Sequence, residues 1–116
     1  MLKGLRSVIY PSSDLETDKK FWEEITGKKA YFDEPFYVGF DINGFELGLH
    51  PGAAAEGITY PVSYWRVDDT KAASEKILAS GATLHTNPAD VGDGITMTTF
   101  KDKAGNVFGI IEHASK

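Results

Sequence analysis

Asp102-Lys103-Ala104-Gly105-Asn106-Val107-Phe108-Gly109-Ile110-Ile111-Glu112-His113 is the stretch that decides the fold. An aspartate leads into a Gly-Asn turn, and an apolar run of β-branched and aromatic residues follows. Glycine and asparagine accept positive φ, and such a run suits a sheet. The stretch therefore predicts a hairpin turn feeding a buried strand. Asp41-Ile42-Asn43-Gly44-Phe45-Glu46-Leu47-Gly48-Leu49-His50 repeats the layout. In both copies a glycine interrupts the apolar run, Gly48 in one and Gly109 in the other.

Outward from this pair, the chain reads as one order of elements used twice. Leu5 to Pro11 is a predicted strand. Ser13 and Glu16 have capping-box spacing, and Asp14 to Thr26 carries Leu15, Phe21, Trp22 and Ile25 for a helix closed by Gly27. Ala30 to Phe32, Phe36 to Ile42 and Phe45 to His50 are predicted strands. The small, turn-rich segment 51–57 divides the halves. Ile58 to Val67 then reads as a strand and Thr70 to Ser80 as a helix capped by Asp69, with Ala73, Ile77 and Leu78 toward a core. Ala82 to Thr86 is a strand, Asn87 to Gly94 a loop, and Ile95 to Lys101 and Val107 to His113 are strands. The expectation is a duplicated βαβββ unit in one domain, residues 1–116: module 1 about 1–50, linker 51–57, module 2 58–116.

The bulk properties narrow the function classes. A chain of 116 residues, 41% hydrophobic and 25% charged, suffices for one cored domain. Absence of cysteine excludes disulfides and thiolate metal sites. The net charge of -5, with no basic cluster beyond Lys19-Lys20 and Lys28-Lys29, disfavours nucleic acid and suits a basic or neutral ligand. No apolar run has the length of a signal peptide or membrane span, so a cytoplasmic location is expected.

Ser13-Asp14-Leu15 with Phe21-Trp22 and Gly27, Val67-Asp68-Asp69, and Phe100-Lys101-Asp102 with Gly105-Asn106 together resemble the vicinal oxygen chelate superfamily. This is the glyoxalase, bleomycin-resistance and extradiol dioxygenase group. The resemblance implies an α+β fold of duplicated βαβββ modules forming a cup-shaped, eight-stranded mixed sheet with helices outside. It also implies a ligand in the cup and a homodimer. Enzymes of the family hold a divalent metal through His, Glu or Gln on the first and last strand of each module. Those four positions map here to Ser7, Gly48, Val62 and Gly109. Glycine and valine donate nothing, and serine is a poor ligand, so the usual metal and its cofactor role are expected to be absent.

A displaced metal site is the alternative, with His50 and His113 ending equivalent strands and Glu112 beside His113. Strand parity sets Ser7, Ile9, Glu46, His50, Tyr64, Arg66 and Ile111 toward the cup as candidate ligand-binding residues. That lining is apolar with a few polar handles, as a small-molecule pocket is. The expected function is small-molecule binding without metal. The alternative is a lyase, isomerase or dioxygenase-like enzyme whose metal site is shifted or absent, with Glu46, His50 or Glu112 available as an acid–base group.

Overall fold

The computed structural model of the chain describes residues 1–90, 92 and 94–113. The fold is α+β, a mixed eight-stranded sheet with two α-helices, built from two βαβββ modules. In chain order the elements are β1 (Gly4–Pro11), α1 (Leu15–Thr26), β2 (Phe32–Glu34), β3 (Tyr37–Ile42) and β4 (Phe45–His50). A 3₁₀ turn (Ala53–Glu56) precedes β5 (Val62–Arg66), α2 (Thr70–Ala79), β6 (Thr83–Asp90), β7 (Ile95–Lys101) and β8 (Val107–His113). The chain forms two compact units: Ser7–Val62, and Met1–Arg6 together with the chain from Ser63 onward.

In the Ser7–Val62 unit the strand order is β2-β3-β4-β1. The β3–β4 turn has Asn43 and Gly44 at φ 54° and 92°, as a tight hairpin turn requires, and Asp41 Oδ1 accepts from the Gly44 N–H at 2.8 Å. Alternate residues of these strands bury a core of Val38, Phe40, Leu47 and Leu49, packed by Tyr10, Leu15 and Trp22. Burying each such side chain is worth about 1.5–3 kcal/mol.

Helix α1 differs from expectation at both ends of its apolar face. Its N-cap is Asp14, not Ser13, because the Asp14 carboxylate accepts from the Thr17 N–H and hydroxyl at 3.2 and 2.8 Å. Those bonds hold Asp14 below the ordinary carboxylate pKa, the Thr17 hydroxyl first. Ile25, expected on one face with Leu15 and Trp22, is 58% exposed, and Phe21 beside that face is 52% exposed. The helix is so rotated that Leu15 and Trp22 meet the sheet instead.

The other unit orders its strands β5-β8-β7-β6. Val67, Ala73, Ile77, Phe100 and Ile110 form its core, whereas Leu78 is exposed. Lys3 joins this unit by donating its N–H to the Arg66 carbonyl at 2.7 Å. Asp69 caps α2 through the Ala72 N–H at 3.1 Å. The strand β6 runs through Pro88 to Asp90 where a loop was expected. Register shifts between Leu84 and Ala89 absorb the proline. Val91 and Asp93 of that expected loop lie outside the described residues.

At the Gly105-Asn106 turn, Asp102 Oδ1 accepts from the Asn106 and Ala104 N–H groups at 2.8 and 3.0 Å. These bonds, the Asn106 N–H foremost, hold the Asp102 pKa low. A carboxylate with a lowered folded-state pKa stabilises the fold above its unfolded value of about 4 and loses that contribution as pH falls through the folded value. Asp102→Ala is therefore expected to lower the urea midpoint at pH 7 and to show a shallower loss of stability in acid than the parent chain. A second expectation concerns Thr98, a fully buried β7 residue whose hydroxyl bonds to no protein group. Thr98→Val removes that desolvated hydroxyl and should be neutral or stabilising by about 1 kcal/mol in chemical denaturation.

Candidate functional site

Parallel pairing of the first and last strand in each module decides which side chains face one another. In the Ser7–Val62 unit the register sets Ser7 across from Glu46, Ile9 from Gly48 and Pro11 from His50. On the other side of β4, Asp41 and Gly39 of β3 face Glu46 and Gly48. Alternation gives all of these the face opposite the Val38, Phe40, Leu47 and Leu49 core, which is the face free of α1.

Glu46 is the polar centre of this face. Ser7, only 1% exposed, donates its hydroxyl to Glu46 Oε1 at 2.7 Å. The Tyr31 hydroxyl donates to Glu46 Oε2 at 2.5 Å. Both carboxylate oxygens are thus held by neutral donors from separate segments. Charge-assisted bonds of this kind are the strong ones.

The last-strand position facing Ser7 is Glu46, not Gly48. Directly paired strand residues lie about 4.5–5.5 Å apart, while a two-residue step along a strand is about 6–7 Å. A group held from Ser7 would therefore meet Glu46. In the other unit Tyr64 faces Gly109 and Arg66 faces Ile111, so Val62 aligns with Val107. The four positions that the resemblance assigns, Ser7, Gly48, Val62 and Gly109, offer one serine hydroxyl and no other side-chain donor. Divalent metals of this family's kind need several imidazole or carboxylate ligands, and this set does not fit one.

The residues of the displaced arrangement have these surroundings. Glu112 faces α2, where it accepts from the Thr70 N–H and hydroxyl, both at 2.6 Å, and so caps that helix. His113, one residue on, points to the opposite face and is exposed. His50 is half-buried, with Nε2 3.5 Å from Glu56 Oε2. Among the described residues no group of three or more His, Asp or Glu could hold a metal ion.

The two glycines are covered by tyrosines. A Cβ on Gly48 would overlap the Tyr37 hydroxyl and ring, and one on Gly109 would overlap the Tyr64 ring. Gly39 likewise makes room for Glu46 and the Tyr31 ring. Tyr64 itself is 7% exposed and fills its own unit rather than opening it. Ile9 and Ile111 are buried beside these glycines, while Arg66 is exposed, with its guanidinium near Gly4. Tyr31 and Tyr37 were not candidates from sequence. The signal was the spacing Tyr37-Val38-Gly39, which has meaning only once β3 is registered against β4.

Residues 4–110 match the model of the Glyoxalase/Bleomycin resistance protein/Dioxygenase superfamily, and the chain belongs to that family. No curated protein matches it. Among solved structures, methylmalonyl-CoA epimerase from Mycobacterium tuberculosis is similar at 16% identity and TM-score 0.75, covering 98% of this chain and 90% of that one. The Streptomyces coelicolor methylmalonyl-CoA epimerase in complex with 2-nitronate-propionyl-CoA is similar at 15% identity and TM-score 0.76, covering 99% and 100%. A superfamily member from Vibrio splendidus is similar at 15% identity and TM-score 0.70, covering 95% and 99%. At these identities the likeness shows the fold.

Gly48→Ala should cost about 1–3 kcal/mol, because the new methyl displaces Tyr37. Tyr37→Leu in the same chain should relieve part of that cost. A double-mutant cycle in urea is expected to give a coupling of at least about 0.5 kcal/mol. Additive losses would show that the tyrosine does not fill the glycine gap.

Proposed function

We propose that the chain binds a small organic molecule on the α1-free sheet face of the Ser7–Val62 unit, without the divalent metal of its family. The observation that carries this is Glu46: a carboxylate oriented by Ser7 and Tyr31, on a face that also carries Ile9, Tyr37, Asp41 and His50. A few fixed polar groups in an apolar surround are what orient a small ligand. Ile9 and His50 would line the same site, and Tyr64, Arg66 and Ile111 a second face in the other unit. As its family and cysteine-free composition favour, the chain would act as a single-domain cytoplasmic homodimer.

The same carboxylate supports a second reading, in which Glu46 is the base of an isomerase-like reaction. Two of the similar structures are epimerases, and inverting a carbon next to a carbonyl needs a group that removes a proton.

Metal analysis of tag-free protein prepared without chelator, followed by thermal shift with Ni²⁺, Mn²⁺, Zn²⁺ and Fe²⁺, tests the metal-free part. The expected result is substoichiometric metal and no saturable rise in Tm. A ligand at 100 times its Kd adds about 2.7 kcal/mol to native-state stability, so a real site would be visible. Stoichiometric metal, or a saturable shift abolished by Glu46→Ala, would overturn it.

A further inference from the structure

We propose that the outer face of α1 is a self-association surface, on which a second copy of the chain packs its own α1 antiparallel through Phe21 and Ile25. This rests on the homodimer reading above and names the surface that carries the dimer.

The apolar part comes first. No residue of α1 is fully buried. Leu15 and Trp22 meet the sheet, which leaves Phe21 and Ile25 outside, one turn apart and each more than half exposed. The Phe21 ring stands edge-on to Trp22, with centroids 5.3 Å apart and planes at 80°, so the strip is rooted on a packed residue. Two large apolar side chains one turn apart make a contiguous strip, not scattered single exposures.

Charge identifies the occupant. Asp14 and Asp18 stand at the N-terminal end of the strip, and Lys28 and Lys29 follow its C-terminal end. The two carboxylates accept from neutral donors, Thr17 for Asp14 and Ser12 for Asp18, so both keep their charge. Lys29 lies 3.8 Å from Glu23, whereas the exposed Lys28 ammonium pairs with no acid among the described residues. A helix acidic at one end, apolar in the middle and basic at the other complements itself when two copies run antiparallel. Phe21 then meets the partner's Ile25, and the same register turns Lys28 toward the partner's Asp18. Each contact occurs twice about a twofold axis, so the assembly closes at two copies. Parallel packing would set like ends together. Elsewhere the exposed Phe32 and Phe36 rings, with centroids 5.9 Å apart, flank Asp33 and Glu34. A second copy pairing there would meet acid with acid. Helices of 12 residues cover less than the roughly 800 Å² per partner of a standard interface, so the dimer forms in a concentration-dependent equilibrium.

Sedimentation velocity on the intact chain over a wide concentration range tests this, and a concentration-dependent dimer is expected. Ile25→Gln and Phe21→Gln, both at exposed positions, should each weaken it about tenfold or more, because a symmetric dimer feels each change twice. Lys28→Gln should weaken it about threefold. Salt at about 1 M, where the Debye length is about 3 Å, should weaken the parent dimer more than the Lys28→Gln dimer. Phe36→Gln should leave association unchanged, and thermal melts matching the parent check that each variant keeps the fold. Tighter association on Lys28→Gln would mean that like ends meet and would overturn the antiparallel arrangement. A dimer indifferent to Phe21→Gln and Ile25→Gln would overturn the α1 surface and leave the homodimer reading standing. A chain that stays monomeric at every concentration would overturn both.

Discussion

The parallel pairing of β1 with β4, and of β5 with β8, is the constraint on which the rest depends. A parallel pair cannot be closed by a tight turn, so each module must route its chain through a crossover. The helix lies in that crossover and covers one face. The register of the pair then fixes which residues of the first strand meet those of the last. Ser7 meets Glu46 because of that register, and the polar centre of the first unit follows from it.

The same constraint shows how the two modules have diverged. Each keeps a glycine in its last strand, and each covers that glycine with a tyrosine. In the first unit the ring comes from β3, the antiparallel neighbour of β4. In the second it comes from β5, the parallel partner of β8. Filling from β5 consumes the inner position of that strand, and Tyr64 becomes core. Filling from β3 leaves β1 free to present Ser7 to Glu46. The helix-free face of the first unit carries the Ser7–Glu46 pair, and that of the second carries Thr99, bonded to Thr86 and His85.

Family membership and chemistry separate at this point. The chain belongs to a superfamily whose enzymes share the module. Yet the four positions that the resemblance assigns to a metal, Ser7, Gly48, Val62 and Gly109, offer a single hydroxyl. A metal ion requires several strong donors within one coordination shell.

By itself the sequence determined the duplicated βαβββ order, the eight strands, the two helices and the turns at Asn43-Gly44 and Gly105-Asn106. These follow from local chemistry: φ preference at turns, alternation along strands, and side-chain caps at helix ends. It misplaced the α1 cap by one residue and set Ile25 on one face with Leu15 and Trp22, because periodicity gives a face but not the rotation of that face against the sheet. It also took β6 for a loop at Pro88, since an irregular strand with register shifts tolerates a proline that a regular one does not. Glu46 was visible as a candidate, but its role was not. Only the tertiary structure decided that Glu46 stands across from Ser7, that Tyr31 reaches it from 15 residues away, and that Glu112 is spent on the α2 N-terminus. Those are non-local contacts, set by strand register, and a shift of one residue in register would turn every one of these side chains to the other face.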